Sequence, residues 1–228
     1  MNRLLTITFG LAMTVSASYA SSMDTIYNAS YTLNQDGTPV CSGQFVSETQ
    51  FLTALHCFTP GSTYSISMDV GDDGTYDHTI VELELTNVRS AADLAIFSFD
   101  PDKYQISPYF VDVATVEWGS KMAWGDELLV ASFPAALYLT AVPGTYIGWA
   151  EAHTGSLSTS PQNNVNAILM PGSSGGGLYR WNEALGYLLV GIMLNIVDSQ
   201  PSIATFALPE NIIDIMQGAK EEFVDDRG

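Results

Sequence analysis

Short apolar and β-branched runs, each closed by turn residues, recur along nearly the whole chain. They cover residues 27–33, 40–46, 64–70, 79–85, 94–99, 127–132, 145–150, 165–170, 177–179, 187–195 and 204–208. Asn34-Gln35-Asp36-Gly37 separates the first two, and Gly71-Asp72-Asp73-Gly74 sits between the third and fourth as an Asp-Gly hairpin signal. No long segment with a 3.6-residue period interrupts them, so the pattern predicts an all-β sandwich or barrel. One helix is expected, at the end. Pro209-Glu210-Asn211 opens it, and Ile212, Ile213, Ile215 and Met216 form an apolar stripe that would pack on the second half of the body. The irregular stretch between Phe99 and Trp118, with Pro101 and Pro108, reads as the crossing between two β domains.

The first 20 residues stand apart. Arg3 gives a positive start, residues 4–15 are apolar without charge, and Ser18-Tyr19-Ala20 offers a small-x-small cleavage site. Residues 1–20 therefore read as a signal peptide, which makes the protein secreted or periplasmic. The run is short for an uncut anchor, and no later segment is long and apolar enough to span a bilayer, so no membrane partner is expected after cleavage.

Charge narrows the partners. The chain has 7 Lys+Arg against 25 Asp+Glu. Residues 1–20 carry one base and no acid, so their loss leaves 6 bases and a net charge of −19. Nucleic acid is excluded, because phosphate contacts need clustered bases. The two cysteines, Cys41 and Cys57, read in an exported protein as a disulfide, the alternative being two buried thiols.

Three segments carry chemistry, in the order His, Asp, Ser: Leu52-Thr53-Ala54-Leu55-His56-Cys57, Ser90-Ala91-Ala92-Asp93-Leu94-Ala95-Ile96, and Pro171-Gly172-Ser173-Ser174-Gly175-Gly176. Acyl transfer needs a base to take the serine proton, a third group to hold that base, and amide donors for the oxyanion. Glycines beside the serine let the backbone turn tightly enough to supply those donors. The G-x-S-x-G elbow of α/β-hydrolases also fits residues 172–176, but that fold needs its histidine after the serine. His56, His78 and His153 all precede Ser174.

The ordered boxes resemble the trypsin/chymotrypsin family and its bacterial relatives. Cys41-Ser42-Gly43, Thr53-Ala54-Leu55-His56-Cys57, Asp93-Leu94-Ala95 and Gly172-Ser173-Ser174-Gly175-Gly176 match its fingerprint in turn, and Leu189-Val190-Gly191-Ile192 resembles the strand after the nucleophile. The resemblance implies two six-stranded antiparallel β-barrels with the active site between them, over residues 21–115 and 116–228, the second followed by the C-terminal helix. It implies Ser174 as nucleophile, His56 as base, Asp93 as orienting acid, backbone amides of Gly172 and Ser174 for the oxyanion, and a Cys41–Cys57 bond. It further implies a monomeric endopeptidase acting on polypeptides without a cofactor.

The chain departs from that pattern in three places. Ser173 stands where animal digestive members carry the aspartate that pairs with a new N-terminus, so no zymogen switch is expected. Ile168, six before the serine, supplies no carboxylate for a basic side chain, which leaves an uncharged or apolar one as the residue cleaved. Leu194-Asn195-Ile196 replaces the usual Ser-Trp-Gly of the substrate-pairing strand and brings no hydroxyl to Asp93. This last difference keeps open a second reading, a weak or silent relative that serves as a binding protein. Asp69, Asp72, Asp73 and Asp77 form an acidic loop about where relatives bind calcium, although a solvated hairpin turn explains them as well.

Overall fold

The structure is a computed structural model that describes residues 22–69, 78–104, 108–150, 158–197 and 202–218. A short helix, α1 (Met23–Ala29), leads into twelve strands that form two closed barrels. The first holds β1 (Ser30–Gln35), β2 (Thr38–Phe45), β3 (Gln50–Ala54), β4 (Tyr64–Asp69), β5 (His78–Arg89) and β6 (Leu94–Ser98), in the order β1-β2-β3-β6-β5-β4. The second holds β7 (Glu127–Ser132), β8 (Thr140–Ala150), β9 (Gln162–Asn166), β10 (Gly177–Asn182), β11 (Gly186–Ile196) and β12 (Ile203–Ala207), in the order β7-β8-β9-β12-β11-β10. Every pairing in the two barrels is antiparallel, and the second repeats the strand order of the first. Closure gives every strand a partner on both sides over part of its length.

Apolar side chains fill the barrel interiors. Leu33, Phe45, Phe51, Ile66, Val81 and Phe97 are buried in the first barrel, with Phe45 edge-on to both Phe51 and Phe99. Val130, Val165, Leu178, Val190 and Phe206 are buried in the second. Between β6 and β7 lie the short helices α2 (Pro101–Tyr104) and α3 (Val116–Gly119). The chain between these helices is pinned to both barrels, since Val111 N–H donates to Phe45 O at 3.0 Å and Leu189 N–H donates to Asp112 O at 2.9 Å.

Three sequence expectations change. Residues 27–33 are not one strand, because α1 runs through their first half; Ser22 caps it, with Thr25 completing a reciprocal capping box. The apolar run 165–170 is only partly strand. β9 is the polar stretch Gln162–Asn166, whose backbone is paired by β8 on one side and β12 on the other. Backbone pairing on both sides outweighs the poor strand preference of its asparagines. Finally, the C-terminal helix α4 (Pro209–Met216) does not pack on the second barrel alone. It buries Ile212 and Ile215, and it is tied to the first barrel by Asn87 Nδ2 donating to Ile215 O at 3.2 Å and Arg89 Nε donating to Asn211 Oδ1 at 3.0 Å. An Arg89–Asp214 ion pair at 3.1 Å completes this contact.

Candidate active site

His56 and Asp93 meet because of strand register. β3 and β6 are antiparallel with Ala54 opposite Leu94, so the residues just beyond this pair lie side by side. Leu55 N–H donates to Asp93 O at 2.9 Å and extends the ladder one step. A 3-10 turn (Leu55–Cys57) buries Leu55 and Cys57 and leaves His56 between them 26% exposed. Asp93 ends a second 3-10 turn (Ser90–Ala92) in the left-handed conformation, φ 55°, ψ 44°, which aspartate tolerates better than most residues. The buried Leu94, Ala95 and Ile96 then anchor the start of β6 in the barrel core.

Asp93 is 2% exposed and spends both carboxylate oxygens on His56. Oδ1 accepts from the His56 backbone N–H at 2.9 Å, and Oδ2 lies 2.8 Å from the ring Nδ1. The ring is thus fixed with Nε2 turned away from the acid. Leu194 is buried and has no hydroxyl to offer. A clasp from the second barrel acts nearby instead. The Ala91 carbonyl, two residues before the acid, accepts from Thr159 N–H and Ser160 N–H at 2.8 Å each and from the Ser158 hydroxyl at 3.0 Å. Sequence reasoning misses this clasp; the pair Ser158-Thr159 carries no motif, and only its position reveals it.

The 171–176 loop lies against β2 and β3. Gly172 and Gly175 have φ of +92° and +81°, conformations that a side chain would strain. A Cβ on Gly175 would fall onto Ser42 O and Thr53 Oγ1, so glycine there also allows the close approach of the loop. Ser42 N–H donates to Ser174 O at 2.7 Å, and the Cys41–Cys57 disulfide joins the neighbour of Ser42 to the neighbour of His56. Ser174 is therefore held to the same corner of the first barrel that carries His56. Its hydroxyl makes no hydrogen bond to His56 in this structure; such bonds are often long or misaligned without substrate.

The amides of the loop fall into two groups. Ser173 N–H donates to Met170 O, Gly175 N–H to Met193 O and Gly176 N–H to Ser173 O, at 3.1, 2.8 and 2.9 Å. Among the described residues, no acceptor meets the N–H of Gly172 or of Ser174. Ser173, fully buried, accepts a hydrogen bond from the Ser132 hydroxyl at 3.1 Å. A hydroxyl pair thus occupies a place where no carboxylate is available for an N-terminal ammonium.

The residues named for specificity are dispersed. Ile168 is 82% exposed and Met170 half-exposed. Leu194, Asn195 and Ile196 lie in β11, where Met193–Ile196 pairs with β12 while β10 reaches only Ile192. The other edge of 194–196 has no strand partner among the described residues. Cys41, His56 and Cys57 bring potential ligand atoms within 4.8 Å of one another, but both sulfurs are used in the disulfide. Asp72, Asp73, Asp77 and His153, with the side chain of Asp69 and the segment 1–20, lie outside the described residues. Among the described residues, no helix is long and apolar enough to cross a membrane.

Two closed six-stranded antiparallel barrels define the chymotrypsin-like fold. Residues 41–192 match the trypsin-like peptidase domain, and the chain belongs to that family of serine peptidases. Solved structures share the fold. An HtrA-type protease, AlgW with a tripeptide, aligns with a TM-score of 0.67 at 21% identity, over 88% of this chain and 64% of that chain. A variant of it with a tripeptide gives 0.69 at 21%, over 90% and 64%. The Rv3671c protease from M. tuberculosis in its active form gives 0.66 at 14%, over 88% and 86%. This chain spans only 64% of the length of AlgW.

Proposed function

We propose that the protein is a secreted or periplasmic serine endopeptidase, released by removal of residues 1–20, that acts as a monomer without a cofactor through an acyl-enzyme. In this reading residues 21–115 carry His56 and Asp93, and residues 116–228 carry Ser174. Ser174 attacks the scissile carbonyl. His56 Nε2 takes its proton and later gives it to the leaving amine, while Asp93 holds Nδ1–H and balances the imidazolium. The amides of Gly172 and Ser174 receive the oxyanion.

One observation carries the reading. A buried carboxylate is spent wholly on His56, beside a serine loop whose two unengaged amides are those of Gly172 and Ser174. The unpaired edge of residues 194–196 suits an extended substrate adding a strand, a mode that needs backbone rather than any particular side chain. Exposed Ile168 and Met170 favour an uncharged or apolar residue at the cleaved position.

The test is a fluorophosphonate probe. Wild type should be labelled and Ser174→Ala should not; equal labelling of the two sinks the proposal. The apolar Leu194, in place of a hydroxyl, favours a second reading, a silent relative that binds polypeptides. Absence of labelling in wild type, with retained binding of an unfolded protein, selects it.

A further inference from the structure

We propose that Ser42 is a positioning residue for the oxyanion site, the fastener that does here what an N-terminal ammonium does in zymogen-derived relatives. This rests on the peptidase reading above. Ser42 lies in β2, is 1% exposed, and uses all of its polar groups. Its N–H donates to Ser174 O at 2.7 Å, and its carbonyl accepts from Thr53 Oγ1 at 2.7 Å. Its hydroxyl donates to Gly172 O at 2.8 Å and accepts from Phe133 N–H at 2.8 Å.

The geometry of peptide planes gives these bonds their meaning. In a trans peptide the C=O and N–H point in opposite directions. The Gly172 N–H shares its plane with Pro171 O, which accepts from Ala135 N–H at 2.6 Å; the Ser174 N–H shares its plane with Ser173 O, which accepts from Gly176 N–H at 2.9 Å. Both candidate donors therefore point away from the protein groups that hold their planes. In the next plane along the chain from each donor residue, Ser42 holds the carbonyl end, through its hydroxyl at Gly172 O and its N–H at Ser174 O, while the N–H ends, Ser173 and Gly175, donate to Met170 O and Met193 O. With planes fixed on both sides, Gly172 cannot flip, although glycine at φ +92° has the freedom to do so.

The same hydroxyl also anchors Phe133, at the start of the 133–136 turn that supplies Ala135 N–H. Loss of one oxygen thus weakens the support of both planes that flank Gly172, leaving the following one held only by Ser173 N–H on Met170 O. A glycine at position 42, as in the Cys-Gly-Gly start of relatives, would keep the N–H and carbonyl contacts and lose both hydroxyl bonds.

The test compares wild type with Ser42→Ala, with active sites titrated by the fluorophosphonate so that misfolded protein is not counted. Removing a whole oxyanion donor costs about 100- to 1000-fold in kcat, so loosening one should cost about 10- to 100-fold. KM should stay within about threefold, because the ground-state carbonyl uses the donors less. Affinity for a peptidyl boronic acid, whose tetrahedral adduct places an oxygen at the donors, should fall in parallel with kcat. Ser42→Thr, which restores the hydroxyl, should recover most of the loss. The proposal is overturned by a titrated kcat within threefold of wild type, by a change in KM alone, or by a drop in melting temperature with kcat and boronate affinity preserved. Wild type that fails to label at Ser174 refutes the peptidase reading instead.

Discussion

Breaking the Cys41–Cys57 bond should destabilise the protein by about 3 kcal/mol. The cysteines are 16 residues apart in sequence, and closing a loop of that size removes roughly 10 cal/mol/K of unfolded-chain entropy. The Cα–Cα separation of 6.2 Å lies in the ordinary range for the bond, so the folded chain need not move when the link is cut. For a chain of this size the loss corresponds to a fall of about 6–12 °C in melting temperature. Both cysteines are buried, so Cys41→Ala/Cys57→Ala should lose about 1 kcal/mol more for the sulfur-sized gaps it leaves. The assay is urea unfolding of both proteins with and without dithiothreitol, with free thiols counted in parallel. Wild type should weaken on reduction, and the double variant should not respond. A fully reduced wild type within 1 kcal/mol of the oxidised one refutes the reasoning. An equal response in the double variant does so too, since it would assign the effect to the reagent.

Three further outcomes are expected from the site and its supports. Asp93→Asn should lower kcat by about 10,000-fold with little change in melting temperature, because an amide lets the imidazole take the wrong tautomer; a loss under tenfold contradicts the role of Asp93. Ser158→Ala removes one of the donors on the Ala91 carbonyl and should lower kcat about three- to tenfold, measured on titrated enzyme, and an unchanged kcat shows that the clasp does not position the acid. The Asp36 carboxyl is held below the usual carboxylate range by the Thr63 backbone N–H first, then by the Ser62 and Thr63 hydroxyls. Its folded pKa is depressed, so its stabilisation is complete above the ordinary aspartate value and fades as pH falls through the folded one. Asp36→Asn should therefore melt below wild type at neutral pH and converge with it in strong acid, and a gap that is constant with pH contradicts this.

Much of the fold class and the candidate site was legible because both rest on local signals. Alternating runs closed by Asp-Gly and Asn-rich turns announced strands, and the Thr-Ala-x-His-Cys, Asp-Leu-Ala and Gly-x-Ser-Gly-Gly segments announced chemistry in a fixed order. The misses have local causes as well. Tyr27 and its neighbours look strand-like, yet Ser22 and Thr25 cap a helix through them. The apolar run after Val165 drew the strand forward from Gln162.

By itself, the chain order of His56, Asp93 and Ser174 spoke against the α/β-hydrolase arrangement, and the acidic charge of the chain argued against nucleic acid as a partner. Side-chain identity alone decides such matters. Only the tertiary structure revealed that the two barrels repeat one strand order, that Ala54 faces Leu94 and so sets His56 against Asp93, and that Ser42 reaches across to Gly172 and Ser174. The strand pairings and the Ser42 N–H bond to Ser174 are contacts between backbone groups far apart in sequence. Every residue but proline carries the same N–H and C=O, so such pairings leave no mark in the sequence and exist only once both barrels have closed.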